Sequence, residues 1–258
     1  MSEIGIFEQP LNERYRLFLR MEQLFERLDH HLEGSSVWDT HALLQGLLEL
    51  LHAVSRGDSK REIIKELDRQ RAALSRFDHR SAVDRARLRA VLDEQRRLLE
   101  ALHAQTSALG QELRENDLLN QLQQRASAGG RPGILEIPGY QEWLQRSVDE
   151  RHRLVRQWLE PLGAARAAID NCLRLVRESA DWSPMKAAGG FHEQALDASQ
   201  SIQVIRTRLD RDRMPHRFPE VSAGRQRFTI RFFEQASPND RATQVRDDIA
   251  FDLACCGV

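Results

Sequence analysis

Lysine is almost absent from this chain: it occurs only at Lys60, Lys65 and Lys186, and arginine supplies the other bases. With 38 basic against 39 acidic residues the formal net charge is -1. The molecule as a whole therefore has no attraction to nucleic acid or to an anionic membrane, and any basic site must be a local patch. Cysteine is scarce too. Cys172 and the adjacent Cys255 and Cys256 make a poor disulfide framework, and no Cys/His spacing resembles a zinc site. No apolar run approaches the roughly 20 residues that span a bilayer. The segment MSEIGIFEQP has neither the basic nor the apolar region of a secretion signal. A cytoplasmic protein with reduced thiols is the expectation.

Catalytic signatures are missing as well. The chain contains no GxGxxG, P-loop, GxSxG or HExxH, and GGRPG has the glycines of a phosphate loop without the following Lys-Ser or Lys-Thr. His30 and His31 fall where a helix ends, a position that favours a cation. His41, His52 and His103 lie on amphipathic segments, where packing or surface roles come first. No nucleophile, base and orienting group can be assembled from spacing, and no cofactor or metal is expected.

The first half of the chain is rich in helical periodicity. Leu17, Met21, Leu24 and Leu28 recur at three- and four-residue steps, within a helix expected from Leu11, just after Pro10, to about His31. A second helix is expected from a cap at Asp39 through Leu43 to Val54, ended by Gly57. Ser59 and Glu62 form a capping box for a third, and a fourth is expected from about Ser81 to His103. A shorter helix starts near Asn116, and Gly129, Gly130, Pro132 and Gly133 then break the chain. Helix returns at Tyr140–Leu144 and, behind a capping box at Ser147 and Glu150, from Val148 to about Ser179, with Pro161 kinking or dividing it.

Beyond Pro184 the pattern changes. AAGGFHEQAL, QSIQVIRTRL, GRQRFTIRFF and DDIAFDLACC read as strands of an antiparallel meander. The expected class is α+β. A mainly helical domain occupies residues 1–183, with a short strand near 134–138 joining the β domain of residues 184–258.

The arginines are the remaining signal. Read as a strand, RQRFTIRFF places Arg225, Arg227 and Arg231 on one face and Phe228, Ile230 and Phe232 on the other. The neighbouring sequence supplies no alternating acids; Glu220 and Glu234 lie only at its ends. Arg206 and Arg208 repeat the same-face spacing on the preceding strand, so that two basic rows would lie side by side if these strands pair. Arg16 and Arg20 share one side of the first helix. Arginine's planar fork suits the carboxylates of an acidic peptide as well as phosphates. From the residues alone, a nucleic-acid-binding module using the same patch is an alternative, opposed by the near-zero net charge and the absence of a nucleic-acid motif.

FEQPLNERYRLFLRMEQLF near the N-terminus, ELDRQ at Glu66–Gln70, and RFTIRFF followed by FDLACC near the C-terminus are collinear with one family. The chain resembles the ZapD family of Z-ring-associated cell-division proteins. The resemblance implies a helical domain joined to a β domain and a symmetric homodimer without enzymatic activity. It also implies direct binding to the tubulin-like protein FtsZ, whose filaments the family cross-links at the mid-cell division ring. A basic groove that receives the acidic and apolar C-terminal tail of FtsZ is implied as well. The positions matching its basic residues are Arg16, Arg20, Arg225, Arg227 and Arg231. Asn116-Asp117 and Gln141 stand where the family pattern can carry basic residues or histidine. Neither nucleic acid nor membrane insertion belongs to this picture.

Overall fold

The computed structural model describes residues 3–55, 58–77, 84–127, 137–196, 201–224 and 226–258. The chain forms two compact units, one of Leu17–Cys172 and one of Met1–Arg16 with Leu173–Val258. Helices occupy the earlier part and antiparallel sheets the later part, so the class is α+β. The strand-rich unit takes in the N-terminal strand and the end of the last helix as well as residues 184–258.

The helices are α1 (Glu13–Glu33), α2 (Val37–Ser55), α3 (Ser59–Ser75), α4 (Arg85–Ala104), α5 (Gln111–Arg114), α6 (Asp117–Ser127), α7 (Pro138–Leu144), α8 (Val148–Leu159) and α9 (Gly163–Arg177). Helix α2 is deeply buried: ten of its 19 residues are buried, because its leucines recur too densely to leave a wide polar face. Ser147 caps α8 as its sequence predicts, accepting from the Glu150 amide at 3.3 Å. Pro161 also acts as expected: a single 3-10 turn, Glu160–Leu162, separates α8 from α9. At α3 the cap is one residue earlier than the Ser-x-x-Glu pattern suggests. Asp58 accepts from the Arg61 amide, while Ser59 lies inside the helix and donates to the Val54 carbonyl.

The motif ELDRQ is structural in this fold. Glu66 is fully buried and takes a two-pronged contact from Arg69, with Nη2 at 2.6 Å. Gln70 donates to the Cys172 carbonyl at 3.1 Å and accepts from Gln95 at 3.2 Å. Buried polar groups keep their free energy low only when paired, and this network supplies the partners.

The strands are β1 (Ile4–Pro10), β2 (Ser183–Ala187), β3 (Phe191–Ala195), β4 (Val204–Asp210), β5 (Arg217–Ala223), β6 (Arg227–Glu234), β7 (Thr243–Gln244) and β8 (Ile249–Cys256). They form a sheet of order β1-β4-β8-β2 and a second of order β3-β6-β5, with β7 also paired to β6. Side chains from both sheets share one core: Ile205, Leu209, Ile249, Phe251 and Leu253 from the first, and Phe228, Ile230 and Phe232 from the second. The pleat thus buries the phenylalanine face of RFTIRFF as alternation predicts.

Two further expectations are corrected, and one condition is not met. Strand β1 precedes the first helix and was not anticipated; α1 begins only at Glu13, where Asn12 Oδ1 accepts from the Tyr15 amide at 3.0 Å. The strands do not form a simple meander. Most consequentially, β4 and β6 do not pair: β4 lies between β1 and β8, and β6 between β3 and β5. Alternation places a side chain on a face, but the choice of neighbouring strand is set by burial of the whole sandwich. Of the strand expected near 134–138, residues 134–136 lie outside the described residues, and Pro138 opens α7. Gly57 lies outside them too.

Candidate functional site

The two strand-arginine pairs face away from the shared core on different sheets, hence on opposite sides of the sandwich. The broad surface of adjacent arginine rows therefore does not form. What each pair does depends on the strands beside it.

On β4, Arg206 and Arg208 are held internally. Their side chains are only 15% and 31% exposed. Arg208 donates from Nε to Asp252 Oδ2 at 2.8 Å, and Asp252 is its register partner on β8. Arg206 Nε lies 2.8 Å from Glu8 of β1, close enough for an ion pair but without hydrogen-bond alignment. Glu8 directs its oxygens instead to Arg177, at 2.9 and 2.6 Å. Both guanidinium groups also cover the Trp182 ring, at 5.1 and 4.8 Å from its centroid. Two cations that each face a carboxylate and share one indole stabilise the sheet more than they offer charge to a ligand.

Strand β6 is different. Arg227 is 69% exposed and has one acidic contact, Glu193 at 3.2 Å. Arg231 is exposed, lies opposite Glu220 across the β5 ladder, and places its guanidinium 5.9 Å from the Phe191 centroid. The acids that the local sequence lacked arrive from β3 and β5. They are more exposed than those around β4, so they leave more of the positive potential open to solvent. Aromatic surface adjoins the charge. Phe191 is an exposed apolar residue, and Phe218 and Phe233 stack with centroids 6.1 Å apart. Phe233 and Arg231 share a strand face, and register places Phe218 opposite Phe233 and Phe191 opposite Arg231. Sequence reasoning missed Phe191 and Phe218. The alternation of FHEQA could have revealed the first, whereas the second needs the register of β5.

Arg16 is exposed and pairs with Glu13 at 3.3 Å, while Arg20 is exposed one turn further along α1. Arg225 lies outside the described residues.

Other polar groups have structural duties. His41 Nδ1 lies 2.9 Å from the Tyr140 hydroxyl, and burial lowers the imidazole pKa while pushing the phenol up to about 12. A cavity of about 330 Å³ is lined by Val54, Ser55, Asp58, Ser59, Lys60 and Arg114, among others. Its two cations are engaged with the fold: Lys60 donates to the Gln105 and Ser107 carbonyls, and Arg114 to Ser55 Oγ and the Leu109 carbonyl. Burial raises both C-terminal thiols, Cys256 to about 11, which keeps them protonated and poorly nucleophilic at neutral pH. Among the described residues no helix is long and apolar enough to cross a membrane.

A family model described as the cell division protein ZapD matches residues 19–231. The cell division protein ZapD of Methylococcus capsulatus is 34% identical over 251 residues, covering 97% of each chain. That of Cupriavidus pinatubonensis is also 34% identical, covering 97% of this chain and 98% of its own. The ZapD of Coxiella burnetii is 30% identical over 253 residues, 98% of this chain and 97% of its own. By a family match across most of its length and relatives that align almost end to end, this chain belongs to the ZapD family of cell division proteins.

Proposed function

We propose that this chain serves cell division by binding FtsZ and cross-linking its filaments at the mid-cell ring. A homodimer presents two tail-binding sites, and the role is mechanical, without a catalytic step. The observation that carries the reading is the outer face of β6, where Arg227 and Arg231 stand beside Phe191, Phe218 and Phe233. Such a face offers charge-assisted hydrogen bonds to carboxylates and apolar surface to the hydrophobic residues between them. An acidic and apolar peptide tail needs both. Arg225 belongs to the same expected row, and Arg16 and Arg20 are the family positions on α1, to be tested separately. Arg206 and Arg208, paired with Glu8 and Asp252, act as supports of the sheet.

A filament displays many tails, so a weak single contact becomes strong when both sites of a dimer are engaged. The protein then works in the cytoplasm and reaches mid-cell through its partner. Co-sedimentation with FtsZ filaments tests this reading. Bundles should pellet at low speed in the presence of the wild-type protein and disperse as salt rises, because exposed charges are screened beyond about 8 Å at physiological ionic strength. Salt-independent behaviour, or capture of DNA or RNA without filament bundling, contradicts it.

A further inference from the structure

Register lays out the outer face of β6 in rows. Arg227 lies between Ala195 on β3 and Gly224 just past β5, and Arg231 lies between Phe191 and Glu220. Neither alanine nor glycine can cover a guanidinium, so the Arg227 side chain is left to find a partner along the sheet. It finds Glu193 on the next row of the face, with Nη1 3.2 Å from Oε1. Arg231 has different surroundings. Its guanidinium lies 5.9 Å from the Phe191 centroid, and among the described residues it forms no ion pair, although Glu220 is its register partner.

Two arginines on one strand face, with Cα atoms about 13 Å apart at the usual rise per residue, are thus inequivalent. Arg231 is ready to take a carboxylate, whereas Arg227 already holds one. The Glu193 contact is a poor support for the sheet. It joins side chains that are 43% and 69% exposed, and pairs so open to solvent add little to stability. Arg208 and Asp252 on the other sheet show the contrast: each is 31% exposed, and the two stand directly opposite in register. What Glu193 does instead is fill, from within the chain, the place at Arg227 that a carboxylate from outside would take.

We propose that Glu193 is an internal competitor for the peptide site: its carboxylate occupies Arg227 in the free protein and is displaced by a carboxylate of the incoming acidic tail. This role rests on the β6 face being the peptide site, as proposed above, and names what sets affinity there. Arg231, unpaired and beside Phe191, is the first anchor. Arg227 joins it only when the ligand brings a second carboxylate about 13 Å further along an extended chain. One carboxylate then leaves the guanidinium as another arrives, so the gain from the second contact is the difference between two ion pairs and not the whole of one. Binding is held below the strength that two open arginines would give, and a site of this kind depends on the many tails of a filament for its hold.

Fluorescence anisotropy of a labelled synthetic FtsZ tail peptide tests this with wild type, Glu193→Gln, Arg227→Ala and the double variant. Glu100→Gln, which removes an exposed acid from α4, serves as the control for net charge. Glu193→Gln is expected to tighten binding at low salt by about two- to fivefold, the worth of an exposed ion pair, and Glu100→Gln to leave it unchanged. In the Arg227→Ala background the same glutamine should bring a much smaller gain, because no guanidinium is left to release. Glu193→Ser gives the same readout should glutamine disturb the fold, which circular dichroism checks. Unchanged or weaker binding by the folded variants overturns the competitor and leaves the β6 site standing. An undiminished gain beside Arg227→Ala does the same, since it marks general repulsion, as does a lowered urea midpoint with unaltered affinity, which marks a purely structural pair. A wild-type protein that ignores the peptide, or binds it as tightly after Arg227→Ala and Arg231→Ala together, overturns the β6 reading and the competitor with it.

Discussion

Replacing Arg227 and Arg231 together with glutamate is expected to abolish FtsZ bundling while leaving the protein folded. Both side chains point from β6 into solvent, and the one ion pair at risk among the described residues, Arg227 with Glu193, is exposed. Surface changes of this kind alter stability by about 1 kcal/mol or less. Binding responds far more strongly. Each reversal removes an attractive contact with a carboxylate and adds a repulsive one, and every 1.4 kcal/mol lost is about tenfold in affinity. In the proposed bivalent dimer that loss multiplies, because both tails must be held for two filaments to be joined. Low-speed sedimentation of filaments measures the effect. Reversal of Arg206 and Arg208 should act by a different route: it strands Glu8 and Asp252 beside like charges and lowers stability before it touches binding. Arg20→Glu asks whether α1 contributes to the same partner.

Phe232→Ala should be the most damaging single change to the strand-rich unit. The ring is fully buried, and its centroid lies 5.0 Å from that of Phe251 on the facing sheet. Truncation removes the transfer free energy of the ring and leaves a void that two sheets cannot close by local relaxation, a loss of about 3–5 kcal/mol. Since native domains are stable by only about 5–15 kcal/mol, much of the unit's margin disappears. Urea denaturation followed by circular dichroism should show a clear fall in midpoint. An unchanged midpoint would mean that the sheets do not pack through this residue.

These two substitutions lie on opposite faces of one strand, and they show what was legible in the sequence. The two-residue period of RFTIRFF separates Phe228, Ile230 and Phe232 from Arg227 and Arg231 without knowledge of any neighbour, because the pleat is local. Helices were legible for the same reason: the Ser147 cap and the break at Pro161 are decided within one turn of chain. Strand pairing is not local. IGIFEQP becomes β1 by joining β4 near the other end of the chain, and nothing within those seven residues names that partner. Whether β4 would pair with β6 was open on the same ground, since two strands with similar alternation are equally good neighbours until a sandwich must bury both. Partner acids were hidden too: Glu8, Asp252 and Glu193 reach their arginines across strands. That is why the seven candidate arginines looked alike in sequence, although the described ones differ sharply in how far their charge is already neutralised.

Titrating isotope-labelled protein with a synthetic FtsZ tail peptide, followed by NMR, tests the central claim most directly. Shifts should cluster on the outer face of β6, at Arg227, Thr229, Arg231 and Phe233, with Phe191 and Phe218 on the flanking strands, and should shrink as salt is added. A spectrum that does not respond, or shifts confined to Arg206, Arg208 and Trp182 on the other sheet, would contradict it.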